Sequence, residues 1–285
     1  MRPEDLHNLI EGLVIKADER FATRIARIEI QLHSAMVGIL KELELTPEGF
    51  IKQNAANRRI LQRAQDTFDS FMRDSAYESE LSRYLRTIGH IEALNTSYFK
   101  TIVSGFTPNR NFIKALKANT IKNINTQLLQ DGFVSQVRAP LMEVLNKNIN
   151  QGGSFSGMLE QVRAYVRGTD EVDGRLLSYS RGILRDVLFQ FSRGFQQAVT
   201  VDLGLVWYKY VGGIIDTTRE FCRERNGEYW HKSEIHAWAN LDWAGKNRLT
   251  TESSIFTLLG GYNCNHQVIP VHDSVVPKEV RERVQ

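Results

Sequence analysis

The feature that most constrains this chain is the apolar stripe of helical period that opens it. Leu6, Leu9, Leu13, Ala17, Phe21, Ile25, Ile28, Leu32, Met36, Ile39 and Leu43 recur every three or four positions. That spacing sets them on one face of a single long helix over residues 4–45. A helix of this length exceeds the usual globular span, so other helices or a partner subunit must lie along it. The spacing drifts from a strict heptad and predicts a bundle stripe rather than a dedicated coiled coil.

The same grammar runs on to about residue 203. Thr46-Pro47-Glu48 reads as a break with an N-cap residue and a proline suited to a first helical turn. Further helices are expected over about 48–71, 79–102, 112–129 and 134–149. Asn150-Gln151-Gly152-Gly153-Ser154 is a hinge in which glycine ends one helix and Ser154 caps the next, whose body is 158–166. After a polar loop at 168–174 the pattern returns over 175–201, with Leu176, Ile183, Val187, Phe191 and Phe195 among its apolar positions.

At about Gly204 the grammar changes. Leu205 to Val211 is aromatic and β-branched, ends at Gly212-Gly213, and reads as a strand. Gln267-Val268-Ile269-Pro270-Val271 is a second short strand, and Pro270 suits an edge or a terminus. A short helix is expected near 232–240. The fold is therefore expected to be mainly α: a long-helix N-terminal body followed by a small α+β C-terminal module with short antiparallel strands. By composition and punctuation the divisions are 1–150, 151–203, 204–271 and a tail at 272–285.

Composition excludes several classes. Of 285 residues 42% are hydrophobic and only six are proline, which leaves enough apolar material for a core and no long disordered tract. The net charge of +3 is too small to mark a dedicated nucleic-acid binder. Basic residues do recur through the first 195 positions (Arg58, Arg59, Arg63, Lys114, Lys117, Lys122, Arg181, Arg185, Arg193). They are read as a solvated helix face, with a weak, salt-sensitive DNA contact as the alternative. The first residues lack the apolar run of a signal peptide, and no window is long enough to span a membrane. A chain kept in a reducing cytosol is expected, with Cys222 and Cys264 as thiols or metal ligands rather than a disulfide.

The module from 204 to 271 holds both cysteines and all four tryptophans, with four histidines in it or just beyond: His231, His236, His266 and His272. Cys222, Cys264 and His266 offer two soft thiolates and an imidazole, and His231 or His236 would complete the four-ligand shell of a structural zinc. The spacing is weak support, since there is no C-x2-C knuckle. The alternative is two small buried thiols beside polar loop histidines. A thiol nucleophile or a His-Asn-His metal nuclease built from Asn263, His266 and His231 would each need partners that the segment does not spell out. Asp216 is expected to cap the turn that follows it, and Arg219 to bond loop carbonyls or Asp216. The glycines at 212, 213, 260 and 261 are expected in turns of positive φ.

These residues carry a resemblance. The run from Gly212 through Gly213, Asp216 and Arg219 to Cys222, the turn at Gly227, and the closing Gly260-Gly261-Tyr262-Asn263-Cys264-Asn265-His266 with Pro270-Val271 resemble the phage Mu F-like head-morphogenesis (minor capsid) family. The helix from Tyr179 to Phe191 is similar to the one that precedes this module in the family. The resemblance covers about 155–271. Asn265 departs from it, because the family usually carries arginine there. What the resemblance implies is a non-enzymatic minor head protein of a tailed phage or prophage, with residues 151–203 as the helical part of its head-morphogenesis domain. Its partners would be the portal protein and other capsid proteins, with packaged DNA as a weak contact and no membrane. Its place would be the virion, in the capsid interior or at the portal vertex, after assembly in the bacterial host cytoplasm. The competing class is a metal-dependent nuclease or toxin-related enzyme built on the Cys/His module.

Overall fold

The computed structural model describes residues 1–284. Helices come first: α1 (Pro3–Leu40), α2 (Ala55–Asp74), α3 (Tyr77–Leu85), α4 (Thr87–Ile102) and α5 (Arg110–Leu129). Then follow α6 (Asp131–Phe133), a π-helical stretch at Val134–Arg138, α7 (Ala139–Gln151), α8 (Phe155–Arg167) and α9 (Arg175–Leu203). The remainder holds β1 (Trp207–Val211), α10 (Glu220–Arg223), β2 (Tyr229–His231), α11 (Lys232–Trp238), α12 (Ile255–Leu258) and β3 (Gln267–Val271). A 3-10 turn at Asp273–Val275 and α13 (Lys278–Glu282) close it. The chain is thus mainly α, with a small α+β module of antiparallel strands near its end. No described helix is long and apolar enough to cross a membrane.

By compactness the chain forms two units, each assembled from distant segments. One comprises 18–85 and 123–183; the other comprises 1–17, 86–122 and 184–285. The first unit is helical. Its stretch of α1 buries Phe21, Ile25, Ile28, Leu32 and Met36, the stripe read from the sequence. Two acidic residues interrupt that stripe and are also buried, each with a specific partner. Asp18 takes a forked bond from the Arg181 guanidinium, the shortest at 2.7 Å. Glu29 accepts the Leu177 backbone N–H at 2.9 Å, in the first turn of α9, where a helix has donors to spare.

Two local departures from the expected pattern have physical causes. Thr46-Pro47-Glu48 starts no helix. The Thr46 hydroxyl and carbonyl close a tight turn on Phe50 and Gly49. The helix begins later, at Asn54, whose side chain accepts the Asn57 N–H at 2.8 Å. Pro140 stands where a regular helix would need an N–H for the Gln136 carbonyl, so the helix loosens there into a π turn. The freed Gln136 carbonyl takes the Arg175 Nε–H at 2.8 Å instead. The hinge at 152–154 is as expected: Gly152 is left-handed at the end of α7, and the Ser154 hydroxyl accepts from Gly157 at the start of α8.

In the other unit a three-stranded antiparallel sheet has the order β2-β1-β3. Pro270 therefore lies on an edge strand, where its missing N–H costs no ladder bond. The edge is nonetheless buried along its whole length. The Tyr98 hydroxyl of α4 donates to the Pro270 carbonyl at 2.6 Å. Alternation along β1 sends Tyr208 and Tyr210 to a core shared with Phe221, Cys222, Ile235, Trp238, Phe256, Leu259 and Cys264. Trp207 faces the other way, onto Val271 and Val276.

Candidate metal centre

Two turns and a helix bring the cysteines together. The first turn follows β1, where the Thr218 hydroxyl accepts the Ile215 N–H at 2.8 Å and leads into α10. Asp216, expected to cap that turn, is exposed and does not do so. Arg219 does reach a loop carbonyl, donating to Tyr262. That bond ties the Cys222 end of the motif to its Cys264 end. The second turn holds Leu259, Gly261 and Asn263 at positive φ and ends at Cys264.

The result is a buried cluster of Cys222 Sγ, Cys264 Sγ and a ring nitrogen of His266, all within 4.8 Å of one another. The sulfurs lie 3.9 Å apart, and Cys264 Sγ lies 3.9 Å from His266 Nδ1. The three residues are 2, 3 and 6% exposed. Of the four glycines expected at positive φ, only Gly261 has it. Gly212 and Gly260 are needed for a different reason, close approach. A Cβ on Gly260 would stand 2.5 Å from Cys222 Sγ and 2.7 Å from Cys264 Sγ, and one on Gly212 2.2 Å from the His266 ring. Gly213 has open space around it.

The other candidate ligands are elsewhere. His231 pairs with Trp207 across the sheet, on the face away from Tyr210 and the sulfurs. Its Nδ1 accepts the Ser233 N–H at the start of α11, where Glu234 completes a capping box. His236 Nδ1 meets the Glu252 carbonyl at 2.8 Å, and His272 caps the Asp273–Val275 turn. None of the three belongs to the cluster. Gly227 closes the β1–β2 connection at φ 88°, and its N–H donates to the Tyr210 carbonyl.

Arg193 of α9 is the participant that sequence reasoning missed. The sequence pattern groups it with a solvated basic face, yet it is 3% exposed. Its guanidinium donates to the carbonyls of Thr257, Cys264 and His266. The available signal was its place among Ser192, Gln196 and Thr200, polar residues at helical spacing on a face shared with Phe189 and Phe195. Beyond it Ser192 and Gln196 join Asn95, Gln267 and His7 in a buried polar network.

Electrostatics follow from these contacts. The hydrogen bond from Cys222 holds the Cys264 thiol well below the usual thiol range; His266 and the Arg193 charge act the same way, against burial. Cys222 is pushed up by that same hydrogen bond and by burial. Burial and the two neighbouring sulfurs raise the Tyr210 phenol. Such a cluster can share a proton, be oxidised to a disulfide, or hold a thiolate-binding cation. Compared with family models, with curated proteins and with solved structures, the chain matches none.

Proposed function

We propose that this chain is a minor capsid protein of the head-morphogenesis type, from a tailed phage or prophage. It acts as a structural component in the capsid interior or at the portal vertex. There it associates with the portal protein and other capsid proteins, and assists head assembly or genome packaging and delivery. The resemblance at 212–222 and 260–271 is the ground for the family. One observation supports a structural rather than catalytic role: the reactive groups of that motif are sealed inside the module, with Cys222, Cys264 and His266 all buried. A nucleophile or base must reach the atom it attacks within hydrogen-bond range, and these groups face only each other and the core.

The decisive experiment is co-expression with the portal protein of the same genome, followed by affinity capture at low and moderate salt. Co-elution at both is expected, and its absence at both would overturn the partner assignment. Nuclease activity in the same preparation, abolished by Cys264→Ser and His266→Ala, would overturn the non-enzymatic role. Binding of DNA, if it accompanies assembly, is expected to weaken steeply as salt rises.

A further inference from the structure

We propose that Cys222, Cys264 and His266 bind one zinc ion through their two sulfurs and the His266 Nδ1, and that His231 takes no part. The proposal stands on geometry and is independent of the partner reading above. Zinc sits about 2.3 Å from thiolate and about 2.0–2.1 Å from imidazole in tetrahedral sites. Those lengths place two ligating sulfurs roughly 3.8 Å apart, and sulfur and nitrogen roughly 3.6 Å apart. Two of the three separations, 3.9 Å each, match that edge length to within a few tenths of an ångström, and the third, between Cys222 Sγ and the His266 ring nitrogen, lies within 4.8 Å. A disulfide would need its sulfurs near 2.05 Å, far inside the present spacing.

Three further observations fit a bound cation. Gly260 lies against the two sulfurs and Gly212 against the imidazole, with no room at either position for a larger side chain. Arg193 clamps the carbonyls on both sides of Asn265, which fixes the backbone that presents Cys264 and His266 to the same point. Tyr210 is fully buried in the same core, and its hydroxyl has no hydrogen-bond partner among the described residues. A phenol donating to a metal thiolate is a common outer support of such ligands. Binding is balanced by release of the thiol protons to solvent as both sulfurs become thiolate ligands. The three side chains fill three corners of the tetrahedron.

The test uses the full chain purified without chelator. Metal content by mass spectrometry is expected to give about one zinc per chain, the loading that one tetrahedral site takes. Cobalt substitution should give thiolate-to-cobalt charge-transfer absorption. Cys222→Ser and Cys264→Ser should abolish zinc binding, whereas His231→Ala should retain it in full. Tyr210→Phe should weaken zinc binding roughly 10- to 100-fold, the usual cost of a lost outer partner. Because the cysteine variants could fail to fold, the wild-type chain is also melted before and after chelation, and after zinc is returned. A reversible fall in melting temperature is expected. Metal-free protein with two titratable thiols, a Cys222–Cys264 disulfide, a bound metal other than zinc, or loss of zinc in His231→Ala would each overturn the proposal.

Discussion

The helical unit and the C-terminal module bury charge in opposite ways. In the helical unit, charges meet countercharges or helix donors. Asp18 is forked by Arg181, and Glu29 faces the first turn of α9. Against the module, on α9, Arg193 is buried with no ion pair among the described residues and gives its hydrogen bonds to backbone carbonyls. The first solution leaves local neutrality, and stability then rests mainly on the apolar stripe. The second sets a positive charge beside Cys264 and the Asp186 carboxyl, both of which feel it. After the hydrogen bonds from Cys222 and His266, that charge also lowers the Cys264 thiol against the cost of burial.

The largest effect expected from this contrast is at Arg193. Arg193→Met removes the donors of three buried carbonyls and the charge beside Cys264, and should cost about 3–5 kcal/mol, the range for breaking a buried charged network. Arg181→Met, in the helical unit, should cost less, because a third of the Arg181 side chain is exposed and solvent relieves part of the loss. Urea denaturation of the two variants measures both. Equal losses would break the distinction between the two regions.

Next comes packing. Gly260→Ala forces a methyl group into the sulfur pair, and overpacking of this kind should cost about 2–3 kcal/mol. Thermal melts give the loss. Metal content should fall in parallel, which separates a clash at the sulfurs from a general weakening of the module.

The helical body was legible because one rule, apolar residues every three or four positions, governs most of it. The ends of the elements were less so. Thr46-Pro47 carried the local chemistry of a helix start, but Asn54 has the better-placed acceptor. The strand Tyr229–His231 was not foreseen, since three residues show no period. In the module, residue types were legible and roles were not. Cys222, Cys264 and His266 stood out by chemistry, yet only the fold shows that His231 faces away. Arg193 and Glu29 went unread for a common reason. A charged residue on an apolar face is interpretable only once its partner, 73 and 148 positions away in sequence, is in place.

Glu29 offers a pH test confined to the helical unit. Burial is the largest influence on its carboxyl and raises it from 4.5 to about 7, against the bonds it accepts from α9. The folded state therefore binds this proton more tightly than the unfolded one. Its contribution is full below about 4.5 and is lost as pH rises toward about 7. A decline on the order of 2 kcal/mol across that window is expected, less than the full shift would give, since such shifts are transferable only to order of magnitude. Glu29→Gln keeps an acceptor for Leu177 and cannot titrate, so its stability should be flatter over the same range. Parallel profiles for the two proteins would show that another group carries the dependence.

The smallest effect sharpens the comparison within the module itself, at two adjacent glycines. Gly212 and Gly213 both belong to the run that resembles the phage family, and sequence gives no reason to treat them differently. The structure does. A Cβ at 212 strikes the His266 ring, whereas one at 213 meets nothing within 4 Å, and neither glycine has positive φ. Gly213→Ala should therefore shift stability by about 0.5 kcal/mol or less, with any change tending to the stable side as the unfolded chain loses freedom. Gly212→Ala should lose zinc and stability together. If Gly213→Ala keeps its melting temperature but loses capture by the portal protein, the need for glycine at 213 lies in a partner's surface rather than in this fold. If it melts as early as Gly212→Ala, the division between a sealed cluster and its exposed neighbour is wrong.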